Sequence, residues 1–114
     1  NNLCHKIISM TAKEFLFKVP EKVNLLAIEG MNTVFHFDLE GEGGGLVTII
    51  VEKGEMRVED GLVGEPNCVI KAKAEDFKKI VKGELNPMMA ILTGKMKIVN
   101  QIEMMKFAKI LGWM

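Results

Sequence analysis

Three runs with a two-residue beat constrain the fold of this chain more than any other feature. In Thr33 to Glu40, the residues Phe35, Phe37 and Leu39 alternate with Val34, His36 and Asp38. From Leu46 to Glu52 the beat returns in Val47, Ile49 and Val51, and Met56 and Val58 continue it. Such alternation sends successive side chains to opposite faces of a strand. The links are short. Gly41 to Gly45, reading GEGGG, makes a flexible turn, and Lys53-Gly54 makes a tight hairpin. Three strands joined this way form an antiparallel meander with one apolar and one wet face. His36 falls on the wet face and reads as a solvent-facing strand histidine.

Two further strands follow. In Asn67 to Lys73, Cys68, Ile70 and Ala72 oppose Val69, Lys71 and Lys73; in Lys95 to Val99, Met96 and Ile98 point inward, Lys95 and Lys97 outward. Helical spacing fills the rest. Thr11 caps a helix to Val19, with Glu14 three residues on and Phe15, Leu16 and Val19 on one face. Pro20 ends that helix or begins a second segment, Glu21 to Ile28, with Val23, Leu25, Leu26 and Ile28 as packing positions. Ala74 to Lys82 buries Phe77, Ile80 and Val81, and Gly83 closes it. Asn86 caps a short apolar helix that starts at Pro87 and stops by Gly94. The last helix, Gln101 to Leu111, carries more apolar surface than one stripe requires. The expected architecture is α+β: a five-stranded, mainly antiparallel sheet with about five helices on one face.

Six of the nine Met residues (88, 89, 96, 104, 105 and 114) fall in the C-terminal part. Met is unbranched and soft, so it suits either a gap-filled core or a wall whose occupant changes shape. Three runs here resemble the sterol carrier protein 2 (sterol-binding domain) family. They are VTIIVEKGEMRVEDG (Val47 to Gly61), PNCVIKAKAEDFKKIVKGELNP (Pro66 to Pro87) and AILTGKMKI (Ala90 to Ile98) before a helix with KFAKIL. With FHFDLEG near Phe35 they cover about three quarters of the chain in the family's order. One departure bears on the pocket mouth: Asn100-Gln101 stands where the family often has a Gly-Asp turn.

The resemblance implies an apolar cavity between sheet and helices and a non-catalytic role. The chain would bind and transfer a fatty acid, fatty acyl chain or sterol-like molecule. The residues expected to line the cavity are Leu25, Phe35, Phe37, Ile49, Met56, Val58, Met88, Met89, Leu92, Met96, Ile98, Met104, Met105, Ala108 and Leu111, with Phe15 and Leu16 as a gate. A second reading is an interaction domain, a homodimer through the C-terminal helix, with Ile110, Leu111, Trp113 and Met114 as its contact patch.

Other chemistries find little support. A phosphate-cradling glycine loop must open a helix, and GEGGG leads into a strand. Ser9 is the sole Ser and Tyr is absent, so an activated nucleophile is hard to build. No enzyme, cofactor or catalytic residue is expected. Two His and two Cys, scattered, form no metal-ligand spacing. A single Arg and zero net charge argue against nucleic acid. Residues 1–66 carry 6 basic and 11 acidic side chains, residues 67–114 carry 9 and 4. The simplest expectation is that the halves intermix on folding. The alternative is a Lys-bearing face that makes transient contact with an anionic membrane surface. Cys4 and Cys68 suggest no disulfide framework, which suits the reducing cytoplasm. Residues 1–9 read as disordered or a cloning remnant, and 10–114 as a single domain.

Overall fold

The computed structural model describes residues 10–110, without the side chains of Leu25, Phe107, Ala108 and Ile110. The expectations placed on residues 1–9, Leu111, Trp113 and Met114 lie outside the described residues. Helix α1 spans Ala12–Lys22, followed by a 3-10 turn at Leu25–Ile28. The strands are β1 (Thr33–Glu40), β2 (Gly45–Glu52), β3 (Glu55–Asp60), β4 (Cys68–Lys73) and β5 (Met96–Val99). Helices α2 (Ala74–Val81) and α3 (Pro87–Leu92) lie between β4 and β5, and α4 (Gln101–Ile110) follows β5.

The five strands form one sheet in the order β3-β2-β1-β4-β5. Every pairing is antiparallel except β1 with β4, which is parallel. The register puts the alternating apolar residues on one face. Phe35 lies opposite Ile49 and Cys68, Phe37 opposite Val47 and Ile70, Ile49 opposite Val58, and Ile70 opposite Ile98. The helices contribute their own apolar faces to this layer. Phe15, Leu16 and Val19 of α1 and Phe77 and Ile80 of α2 are buried in it. Phe77 joins the layers: its ring meets Phe37 at 6.0 Å and Phe15 at 6.3 Å between centroids, both edge-on.

Local chemistry explains the element ends. Thr11 Oγ1 accepts the Glu14 N–H at 3.0 Å while Glu14 Oε1 accepts the Thr11 N–H at 2.9 Å, closing the expected capping box. Asn86 Oδ1 accepts from Met88 and Met89 N–H at the start of α3. Lys53 and Gly54 both hold positive φ, 54° and 74°, as a two-residue hairpin between right-twisting strands requires. In the glycine turn, a Cβ on Gly44 would stand 2.1 Å from the Leu39 carbonyl oxygen. The Gly43 carbonyl accepts the Lys13 N–H at 3.0 Å. The turn thus satisfies a donor at the start of α1 that has no partner within the helix.

Three expectations need correction. Helix α1 runs through Pro20 to Lys22, so Pro20 neither ends the helix nor starts a new one. Leu26 is exposed rather than packed, because the Leu25–Ile28 segment is a tight 3-10 turn in which only part can face the core. His36 is 7% exposed, and the second face of the sheet is not uniformly wet. The 61–67 segment crosses that face. Thr48 Oγ1 donates to the Gly61 carbonyl at 2.7 Å and accepts the Val63 N–H at 2.9 Å. His36 Nε2 donates to the Val63 carbonyl at 2.9 Å. Asn67 then exchanges two hydrogen bonds with the Val34 backbone.

The strand order also decides which charges meet: Asp38 and Glu40 of β1 stand opposite Lys71 and Lys73 of β4. The first half of the chain supplies β1 to β3, the second half β4 and β5, and β1 is the seam. The β2–β3 end therefore carries Glu52, Glu55, Glu59 and Asp60 against Lys53 and Arg57, while β4 and β5 carry Lys71, Lys73 and Lys97. Lys71 and Lys97 are directly opposite across two antiparallel strands. Like charges so placed are destabilising, by roughly 0.2–1 kcal/mol. Lys97→Glu should therefore raise stability by several tenths of a kcal/mol, read as a higher denaturant midpoint at unchanged slope; an unchanged or lower midpoint counts against this reading of the pair.

Candidate lipid site

The apolar layer between sheet and helices is the candidate site. The structure brings Phe15, Leu16, Phe35, Phe37, Ile49, Met96 and Met104 into one buried cluster. Met56, Val58 and Ile98 are half-buried and packed against it. Met88, Met89, Leu92 and Met105 are exposed. The backbones of Leu25 and Ala108 lie in the 3-10 turn and in α4. Sequence reasoning did not nominate Val19, Ile28, Val47, Val51, Ile70, Phe77 or Ile80 as lining, yet all belong to the same cluster. Their signal was present: each sat at an apolar beat or helical face position. In a two-layer fold one surface serves both packing and lining.

Helix α3 shows why its exposed Met pair stands apart. Six residues, Pro87 to Leu92, are almost all apolar, and so short a helix can press only one side against its neighbours. Ala90 takes the fully buried position, and Met88, Met89 and Leu92 face outward. Helix α4 behaves similarly. Of its first six residues only Met104 is buried; Ile102 is 72% exposed.

Polar contacts fix where α4 begins. Asn100 holds φ at 67°, a left-handed conformation that Asn tolerates and most residues do not. Its side-chain Nδ2 donates to the Asn67 carbonyl at 2.9 Å. Asn100 thus fills the place where a glycine is common, and adds a tie to the crossing segment. One turn on, Glu103 accepts from Thr33 Oγ1 at 2.7 Å and from Lys106 Nζ at 2.7 Å. The Lys106 and Thr33 hydrogen bonds hold the Glu103 carboxyl below its ordinary value. An open hollow of about 550 Å³ lies beside this anchor, lined by Ala27, Gly30, Met31, Asn32, Thr33, Lys106 and Lys109.

Cys68 opens β4 on the inner face, 1% exposed. Burial, with a smaller contribution from the Glu103 charge, pushes its thiol from about 9 up to about 11. A thiol so placed is a small apolar filler rather than a nucleophile. Among the described residues no group of three or more His, Cys, Asp or Glu could hold a metal ion, and no helix is long and apolar enough to cross a membrane.

The two-layer arrangement has known counterparts. The family model of the SCP-2 sterol transfer family matches residues 12–112. The chain belongs to that family. A curated relative, hydroxysteroid dehydrogenase-like protein 2 of Xenopus tropicalis, is 33% identical over 104 residues, covering 86% of this chain and 24% of the relative. The chain thus spans about a quarter of that relative's length, and 14% of the rat counterpart's. Among solved structures, the sterol carrier protein domain 2 of Helicoverpa armigera superposes with a TM-score of 0.70 at 25% identity, covering 88% of this chain and 82% of that one. Palmitated SCP2L2 of Aedes aegypti gives 0.68 at 19% identity, over 90% and 95% of the two chains.

Two predictions follow from the anchors. A depressed carboxylate contributes stability that is present above its unfolded pKa and lost as pH falls through the folded one. The docking of α4 should therefore loosen in acid, as pH falls below the ordinary glutamate range. Glu103→Gln should show that loosening already at neutral pH, as faster hydrogen exchange confined to α4; equal exchange in both proteins contradicts the anchor. In a Cys4→Ser chain, Cys68 should resist a water-soluble disulfide reagent until the protein unfolds. Prompt reaction of the native protein would refute its burial.

Proposed function

We propose that this domain binds a lipid with a long hydrocarbon part, a fatty acid, fatty acyl chain or sterol-like molecule, between its sheet and its helices, and transfers it without chemical change. The observation that carries this reading is the state of α4. An apolar helix lies over a wholly apolar layer, is fixed at its start by Asn100 and Glu103, and leaves Ile102 and Met105 in solvent. A helix tethered at one end and greasy beyond its seat is suited to swing over a guest. Family membership and the palmitated Aedes neighbour support the same ligand chemistry.

The binding energy needs no reaction. Each methylene removed from water contributes about 0.8 kcal/mol, so a long chain binds without a dedicated polar partner. A carboxylate or hydroxyl head would remain at the hollow beside Thr33, Lys106 and Lys109, where it stays hydrated. The inner-face residues Phe35, Phe37, Ile49, Met96 and Met104 form the floor. The buried free thiol supports a reducing, cytoplasmic setting for the domain.

A fluorescent fatty-acid displacement titration tests this. Delipidated protein should take up the probe saturably, at a ratio near one to one. Ile102→Glu with Met105→Glu changes only exposed positions, so the melting temperature should hold while affinity drops at least about tenfold. Absence of saturable uptake by the delipidated wild type would overturn the proposal.

A further inference from the structure

We propose that Glu103 sets which lipid head the domain accepts: its carboxylate holds the seat of the guest's head, and a carboxylate-headed lipid enters by taking over its partners. This rests on the lipid-binding reading and adds the head chemistry and the step that admits it. Shared contacts define the seat. Thr33 Oγ1 donates to one Glu103 oxygen and Lys106 Nζ to the other, both at 2.7 Å. Thr33 and Lys106 also line the open hollow beside α4, together with Asn32 and Lys109. A hydroxyl and an ammonium, one on each oxygen, suit a guest's carboxylate as well as they suit Glu103. Among the described residues, the lining of the hollow holds two lysines and no acidic side chain.

The seat stands where the hollow meets the apolar floor. Thr33 is 4% exposed and lies on the same face of β1 as Phe35 and Phe37. The Glu103 side chain is 16% exposed, and its charge reaches the Cys68 thiol on the inner face of β4. Anchoring alone does not account for a charge at this position. An apolar side chain would seat a helix on that face at least as well, since ion pairs withdrawn from water seldom stabilise more than hydrophobic packing does. The Glu103–Lys106 pair at helical spacing is worth little by itself. What the carboxylate adds is a stand-in for another carboxylate.

A hydrocarbon chain laid along Phe35 and Phe37 brings its head to Thr33. A hydroxyl head shares that hydrogen-bond partner and leaves Glu103 in place. A carboxylate head cannot stand beside Glu103 without like-charge repulsion, so it displaces it. Displacement frees the first turn of α4 from Thr33. The exchange also leaves the number of charge-assisted hydrogen bonds unchanged, so the wild type gains little from an acid head. With Glu103 neutral, the same lysines favour the acid outright.

Competition of tetradecanoate and tetradecanol against one neutral fluorescent lipid probe tests this, at about pH 8, where the acid is ionised. The two lipids differ in the head alone, so their affinity ratio cancels any general change in how α4 sits. Glu103→Gln keeps a hydrogen-bond acceptor for Thr33 and should raise the acid-to-alcohol ratio at least about five-fold over wild type. Lys106→Met, at an exposed position, should lower the ratio about three-fold or more. In wild type, tetradecanoate should speed hydrogen exchange in the first turn of α4 relative to tetradecanol. An unchanged ratio in either variant, or equal exchange with the two lipids, overturns the proposal and leaves lipid binding standing. No saturable uptake of the probe by wild type overturns both.

Discussion

The structure depends on a short crossing. Strand β3 ends at one edge of the sheet and β4 begins beyond β1, so residues 61–67 must pass over two strands. Three interstrand spacings are roughly 14 Å, and seven extended residues reach at most about 23 Å. The segment has length to spare, so hydrogen bonds rather than reach hold it against the sheet. Thr48, His36 and Asn67 hold it at three successive points. Each hydrogen bond contributes about 0.5–1.5 kcal/mol, and each buried polar group would cost more if left without a partner. Without the crossing, β4 could not pair parallel with β1, and the last two strands would have no place in the sheet.

From that placement the functional geometry follows. The parallel pairing sets Cys68 beside Phe35 and Ile70 beside Phe37, so the inner apolar face continues without a break from β3 to β5. Phe77, carried on the helix after β4, then bridges to Phe15 on α1. The crossing segment also receives the Asn100 side chain, which fixes where α4 starts. Cover, floor and anchor of the lipid site are thus mechanically linked to one connection on the opposite face.

Much of this was legible in the sequence. The five strands, the inward residues Phe35, Phe37, Ile49, Ile70 and Met96, the Thr11 capping box and the Asn86-Pro87 helix start all follow from local rules that the folded chain obeys. The second face did not. His36 and Thr48 alternate with apolar neighbours, and periodicity assigns such residues to water. Nothing in GLVGEPN marks it as a segment that will bury them, since Gly61, Gly64 and Pro66 read as ordinary loop. Burial there comes from tertiary contact between residues about 15 to 30 apart in sequence, which periodicity cannot see. The methionines of α3 are a different case. Met88 and Met89 have the right chemistry for a wall, but a six-residue helix has only one side to bury, and Ala90 holds it.

The central claim is that the layer between sheet and helices opens to house a hydrocarbon guest under α4. Native mass spectrometry of the protein as purified weighs that guest directly. The account predicts, beside the bare chain, a population heavier by the mass of one lipid, which delipidation removes and an equimolar long-chain fatty acid restores. A spectrum that shows only the bare chain before and after fatty acid is added would contradict it.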